Sequence, residues 1–596
     1  VNKHGDSRVK GAGRASLFLN VLGYAVATVA CLAVMAGLMR VWDMDISEPF
    51  TYGSDAAYYT LVVRGTMENG WYQHNDRVGA PFGLDLYDFP QGDTLHVALV
   101  RLIALAVHRP FAVANLYYLL TFPLTTLASL IAMRRFGISY AVALASSLLY
   151  TFLPFHLFRN VQLFIAGYFL VPFMVMVVLW VYREPLRWRS LRFLASVSIC
   201  ALMALGGIYY AFFGCFFLGV AGLRAALERK SWAALITAAL LIGVIVGAGL
   251  VNTAPTFLFR YAHGANPEGL KRSPAGGEIY GLKIGQLLLP VTGHRIGALA
   301  TAKDLYNKKM PLVNENDHAT LGALGAFGFL GLIGCLFVRR WPQDRPSLPE
   351  TLSVLNLFAV LLAVTGGFAG VVALALPEIR SFNRMSVYIG FFALFALALA
   401  MDRLVRRMAL GSWRQPLLGV GLTAVVAVGL LDQIPFKNPM RPEPAESRQD
   451  ANFVQRIEAA LPKGSMVFQL PYVPFPENPP VQRMEDYDHL KGYLHSDSLR
   501  WSYPTMRGRP GDAWNREIAG QPVQEMLKSL TEAGFAGLYI DRYGFADGAA
   551  ELAGRLSALL PGPPFDSENG RLRFYSLTDY AHRQEVASRN VATQPQ

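Results

Sequence analysis

Tyr52-Gly53-Ser54-Asp55-Ala56-Ala57-Tyr58-Tyr59 opens the stretch that decides how this chain reads. It follows the first long apolar run and leads through a polar region carrying Asp76, Arg77, Asp85, Asp88 and Asp93 to His96, where the sequence turns apolar again. A carboxylate placed there stands at a membrane surface. That is where an enzyme acting on a lipid-linked substrate needs its base, because the reactive head lies at the interface and the tail stays in the bilayer.

Composition supports a membrane setting. Of 596 residues, 53% are hydrophobic and 16% charged, too apolar for a soluble protein of this size. The net charge of +12 comes from short Lys/Arg clusters between apolar runs, a pattern that suits topology signals and not a nucleic-acid face. All four cysteines lie inside apolar runs with no histidine at ligand spacing, so neither a disulfide framework nor a zinc site is expected.

The first apolar run, about 16–41, is long enough to span a bilayer and exceeds the apolar core of a signal peptide. Further spans are expected at 111–133, 138–155, 163–182, 193–206, 208–223, 232–251, 318–338, 351–376, 385–401 and 415–434, about eleven in all. The division at Gly206-Gly207 splits one long run into two short helices. Arg134 and Arg135, the Arg183–Arg192 cluster, Arg224 with Arg229 and Lys230, Arg339 with Arg340 and Arg345, and Arg403 with Arg406 and Arg407 fall at alternate connections, as cytoplasmic loops should. The N-terminus is then cytoplasmic. Loops 43–110 and 252–317, the 377–384 turn and everything beyond about 435 are external. Residues 56–69 and 97–107 read as interfacial helices, the first with Arg64 and Glu68 as an i, i+4 pair.

Within the spans the only Asp, Glu, Lys or Arg are Arg40 and Asp432, each within three residues of a span end, whereas ion-coupled carriers place ionisable groups near the midplane. Such groups gather at the external ends instead. His156, Arg159, Asn160 and Gln162 follow Leu153-Pro154-Phe155. Tyr209 and Tyr210 follow the glycine pair. The 252–317 loop brings Arg272, Glu278, Lys283 and His294, and the turn after Pro377 brings Arg380 and Arg384. Arg makes paired, charge-assisted hydrogen bonds to phosphate, although any one of these residues serves equally to contact lipid head groups or a helix C-terminus.

Beyond Pro435 the chain becomes polar. A Pro-rich linker, 435–444, precedes an α/β module with helices at 450–461, 523–533 and 549–560 and strands at 466–470, 538–541 and 571–576. In it Met484–His489 and Leu499–Tyr503 set aromatic rings beside carboxylates, which suits sugar binding as well as ordinary packing. Residues 1–434 thus form a transmembrane domain and 435–596 a small external domain, a mostly α architecture overall.

A cytoplasmic N-terminus, a first span running into an external loop with Asp55 near its start in Gly53-Ser54-Asp55-Ala56, two interfacial helices, about eleven spans and an external C-terminal domain together resemble the GT-C superfamily of integral-membrane glycosyltransferases. The paired acidic motif of some members is absent, since Ala56 follows Asp55; no cofactor is expected and a divalent metal is not supported. The resemblance implies a polyprenyl-phosphate-linked sugar as donor, a cell-envelope glycan, lipid or protein as acceptor at the external face of a bacterial inner membrane, and inversion at the anomeric carbon. Asp55 is then the general base. Arg159, Arg272, Arg380, Arg384, Lys283 and His156 are the donor-phosphate candidates. Tyr58, Asp85, Asp88, Asp93, His96, Tyr209, Tyr210, Glu278 and His294 are the sugar and acceptor candidates. Asp55 also suits a helix N-cap. A lipid-linked-sugar flippase and a non-catalytic assembly subunit are the alternatives.

Overall fold

The computed structural model describes residues 5–183, 186–338, 347–408, 414–436 and 444–592. Arg339, Arg340 and Arg345, and most of the expected linker, lie outside them. The chain is a multi-pass membrane protein, a helical bundle with a small mixed sheet at its C-terminal end. Helix α1 (Gly5–Met39) leads into a long loop carrying α2 (Asp55–Asn69) and α3 (Thr94–Ala104).

Each of the eleven expected spans has a helix, and among the described residues eight helices are long and apolar enough to cross a membrane. Three expected spans are shorter: Leu191–Leu205 has 15 residues, Gly322–Cys335 has 14 and Leu348–Ala363 has 16. At 1.5 Å per residue each falls below a 30 Å hydrocarbon layer. The run expected at 351–376 is not one helix. It breaks at Val364-Thr365-Gly366-Gly367 and resumes as Phe368–Ala375. The break has a cause: Leu282 inserts there, its N–H donating to Ala363 O while Thr365 N–H donates to Leu282 O. The division at Gly206-Gly207 is present, with Gly207 at φ +118 between Leu191–Leu205 and Ile208–Arg229.

Helix α2 departs from the interfacial reading. Residues Ala56 to Thr66 are all buried, because the helix lies between the bundle and the C-terminal part. Arg64 does pair with Glu68 at 2.7 Å, yet its guanidinium also donates to the carbonyls of Tyr493, Leu494 and Ser496. A cation buried against three helix-end carbonyls fixes orientation as well as charge.

Strands β1 (His74–Asn75) and β2 (Leu84–Asp85) form a hairpin in the first loop. The C-terminal sheet comprises β3 (Met466–Leu470), β4 (Arg500–Trp501), β5 (Phe535–Asp541), β6 (Phe565–Asp566) and β7 (Leu572–Ser576), in the order β4-β3-β5-β7-β6. β3 runs parallel to β4 and β5; β7 is antiparallel to both its neighbours. Val78 of the first loop pairs alongside Trp501, with Trp501 N–H donating to Arg77 O at 2.8 Å and Ala80 N–H to Trp501 O at 3.0 Å. An edge strand is thereby covered by a distant segment of the same chain.

Packing decides the aromatic runs of this module. Trp501 is fully buried and Tyr503 nearly so, and Asp488 sits in an ion cluster with Arg571 (2.6 Å) and Lys491 (2.9 Å). Of these two runs, Asp486 and Tyr487 alone reach the cavity described next.

Candidate functional site

Gly53 (φ +96) and Ser54 (φ +49) turn the chain through left-handed conformations immediately before α2. Glycine adopts such angles freely. The turn makes Asp55 the first helical residue, with Ser54 in the cap position, and its carboxylate meets a neighbouring loop: Oδ2 accepts from Gln162 Nε2 at 2.8 Å. The carboxylate opens into a cavity of about 740 Å³ walled by the first loop, the turn after Pro154, the Gly206-Gly207 break, the 252–317 loop, the turn after Pro377 and the C-terminal segment 477–487.

Gln162 organises one end of this cavity. Its Nε2 donates to Asp55 and, at 3.3 Å, to Glu315 Oε1; its Oε1 accepts from Arg159 at 2.8 Å and from Arg384 at 3.5 Å. An amide is the neutral side chain that can face two carboxylates and two guanidiniums at once. Arg159 lies behind the wall, 2% exposed, paired with Glu315 at 3.0 Å. Arg384 lines the cavity with its guanidinium 4.0 Å from the centre of the Tyr209 ring, and its buried Nε has no hydrogen-bond partner.

Burial raises the Asp55 carboxyl above its ordinary value; Gln162 draws it back, Glu477 and Glu315 push it up, and Arg384 opposes them. Burial acts the same way on Asp93, pushed up to about 6 against Arg384, and on Asp486, pushed up to about 7. Burial disfavours ionised Glu315 too, but the nearby Arg159 and Arg384 outweigh it and hold that carboxyl down at about 2. The cavity therefore contains carboxylates held charged against burial by neighbouring cations, Glu315 and at the rim Asp88, and others that bind a proton more readily than usual, Asp55, Asp93 and Asp486.

Removing Glu315 would leave the buried Arg159 without its charge partner. Glu315→Ala is expected to cost roughly 3–5 kcal/mol of stability, read as a lowered unfolding temperature in detergent. Unchanged melting would show that Arg159 draws its support elsewhere.

Near enough to Asp55 to act on its carboxyl, Glu477 bridges Arg272 (2.6 Å) and Arg380 (3.3 Å). The ring of Tyr58 packs on Phe89 and Tyr487, both at 5.5 Å. Asp88 lies at the rim, bound to Arg509 at 2.6 Å and to Asn266 at 3.1 Å.

Of the residues expected from sequence, Asp55, Tyr58, Asp88, Asp93, Tyr209, Tyr210, Arg272, Arg380 and Arg384 line this one cavity. The others do not. His156 is wholly buried, stacked on Phe122 at 3.9 Å and bonded to Thr121 and to the Thr151 carbonyl. His96 is buried beneath the glycine break, bonded to the Gly206 carbonyl and to Tyr117. Asp85 pairs with His74 on the hairpin, and Lys283 donates to the Pro311 carbonyl. Glu278 accepts from the Gly366 N–H and so holds the break at 364–367, and His294 faces Asp432 at 3.3 Å. Gln162, Glu315, Glu477 and Asp486 carry no motif; the weak signal was their position in short polar runs between apolar or proline-rich segments. Among the described residues no three His, Cys, Asp or Glu side chains are grouped to hold a metal ion.

No family model and no curated protein matches the sequence. Solved structures do resemble the fold. The arabinofuranosyltransferase AftD from mycobacteria aligns over 93% of this chain with TM-score 0.50 and 14% identity; this chain spans 40% of AftD's length. The oligosaccharyltransferase AglB from Archaeoglobus fulgidus aligns over 93% of this chain and 74% of its own, with TM-score 0.40 and 12% identity. The likeness to AftD, at 14% identity, is one of fold.

Proposed function

We propose that this protein transfers a sugar from a polyprenyl-phosphate carrier to a cell-envelope acceptor at the external face of a bacterial inner membrane, with inversion at the anomeric carbon and Asp55 as general base. One observation carries the reading: a half-buried carboxylate and an incompletely satisfied guanidinium, Asp55 and Arg384, share a single large cavity lined from six segments of the chain.

The chemistry balances within that pair. An acceptor hydroxyl gives its proton to Asp55 as its oxygen bonds to C1 of the sugar. The bond from C1 to the phosphate oxygen breaks from the opposite face, and its electron pair leaves on the lipid phosphate. Arg384, with Arg272 and Arg380 in the same lining, offers guanidinium N–H groups to that growing negative charge. Gln162 keeps the base aimed by holding one of its oxygens.

Burial of Asp55 gives the reaction a pH signature. A protonated Asp55 cannot accept the hydroxyl proton, so kcat/KM is expected to fall as pH drops, along a limb lying above the ordinary carboxylate value of about 4. A rate that stays flat from pH 8 to below pH 4.5 would remove Asp55 as the base. The general test is incubation of the purified chain with synthetic polyprenyl-phosphate sugars and envelope extract, with transfer followed by mass spectrometry. Movement of intact lipid across vesicles without sugar transfer would overturn the enzyme reading in favour of a flippase.

A further inference from the structure

Arg272 and Arg380 come from different segments, the 264–283 loop and the turn after Pro377, yet one carboxylate answers both. Arg272 grips Glu477 with two nitrogens, Nη2 to Oε1 at 2.6 Å and Nη1 to Oε2 at 3.0 Å, and Arg380 Nη2 adds a third contact to Oε2 at 3.3 Å. This fork-on-two-oxygens geometry is the one a guanidinium uses on phosphate.

The clamp differs from the structural ion pairs of the same module. Arg571, Asp541 and Asp488 are sealed, with side chains 8%, 2% and 4% exposed. Arg272, Arg380 and Glu477 are 19%, 31% and 29% exposed, and all three line the cavity that holds Asp55. An incoming anion can therefore reach them. Glu477 itself stands at φ +52, and Gln482 and Tyr487 in the same loop at +56 and +67. Three non-glycine residues in left-handed conformations within one short loop persist when surrounding contacts hold them. The double-arginine grip is such a contact.

Resting on the glycosyltransfer reading above, we propose that Glu477 is a built-in stand-in for the donor phosphate, filling the seat made by Arg272 and Arg380 until a phosphate group displaces it. The donor's phosphodiester presents two oxygens sharing one negative charge, as the Glu477 carboxylate does, so it can take the same forked contacts, and its arrival frees the loop that presents Asp486 and Tyr487 to the same cavity. Donor binding and rearrangement of the C-terminal wall become one event.

The test is binding of farnesyl phosphate to the full chain in detergent by titration calorimetry, with inorganic phosphate in parallel. Glu477→Gln keeps length and hydrogen bonding but removes the competing charge; it is expected to bind farnesyl phosphate at least tenfold more tightly than the wild type. Arg272→Gln is expected to bind it at least tenfold more weakly. Glu477→Asp, which shortens the reach, should tighten binding several-fold and decides the matter if the Gln variant fails to fold. Tightening with the lipid phosphate alone assigns the seat to a lipid-borne group, and tightening with both assigns it to phosphate in general. Wild-type binding that neither Glu477 variant strengthens overturns the stand-in and makes Glu477 a strut between two parts of the chain. Farnesyl phosphate that binds neither the wild type nor any variant overturns the donor reading itself.

Discussion

Asp55→Asn is expected to lower transfer by roughly 10²–10⁴-fold, the range a positioned general base supplies, while the protein folds and melts as before. The two halves of that expectation come from the same geometry. Asn retains an oxygen to accept from Gln162 Nε2, so the start of α2 keeps its anchor. It cannot take a proton from a hydroxyl. A purely structural role for residue 55 predicts unchanged transfer as well as unchanged melting, because Ser54 already occupies the cap position and Asn keeps the contact to Gln162. Near-normal transfer by a well-expressed Asn variant would remove the mechanism and leave only the fold.

Arg384→Gln should strike the other side of the reaction. Arg384 is 6% exposed, its plane rests on Tyr209, its contact to Gln162 is long at 3.5 Å and its buried Nε is unmatched. A guanidinium fixed in the cavity wall before the reaction starts meets an anion that appears during it without reorganisation. Loss of such a donor is expected to reduce kcat by about 10²–10³-fold, with a smaller rise in KM. Arg384→Lys restores the charge without the planar fork and should recover part of the rate. A variant in which KM rises while kcat holds would mean that Arg384 binds the donor equally in ground and transition states and does not assist bond breaking.

The elements most legible in the sequence are those set by local apolar pattern. The strand at 466–470 stands at the residues read for it, the glycine break at 206–207 divides two helices, and every long apolar run contains a helix. The break inside 351–376 depended on Leu282, about eighty positions upstream, entering the gap, and nothing in the apolar pattern announces that. The site divides in the same way. Asp55, Arg380 and Arg384 were legible because a charged residue in a short turn beside a span is unusual. Gln162, Glu315 and Glu477 were not, since what gives each its place is convergence of three distant loops on Asp55 and on the arginines. His156 misled because a polar-tipped ring in a turn reads as exposed, whereas it is enclosed by neighbours drawn from elsewhere; Trp501, for which packing and sugar binding were both open, is packed.

The pairing of Val78 with Trp501 at the edge of the C-terminal sheet bears on the order of assembly. Asn75 of the same loop donates to the Tyr493 hydroxyl across 418 positions of sequence. A ribosome therefore finishes most of the bundle while that loop still waits, its ladder groups unpaired, for a mate at the far end of the message. Closing so large a loop is slow, and the chamber around Asp55 lacks a wall until it is done. The wall in question, residues 477–487, is among the last parts of the chain to be made.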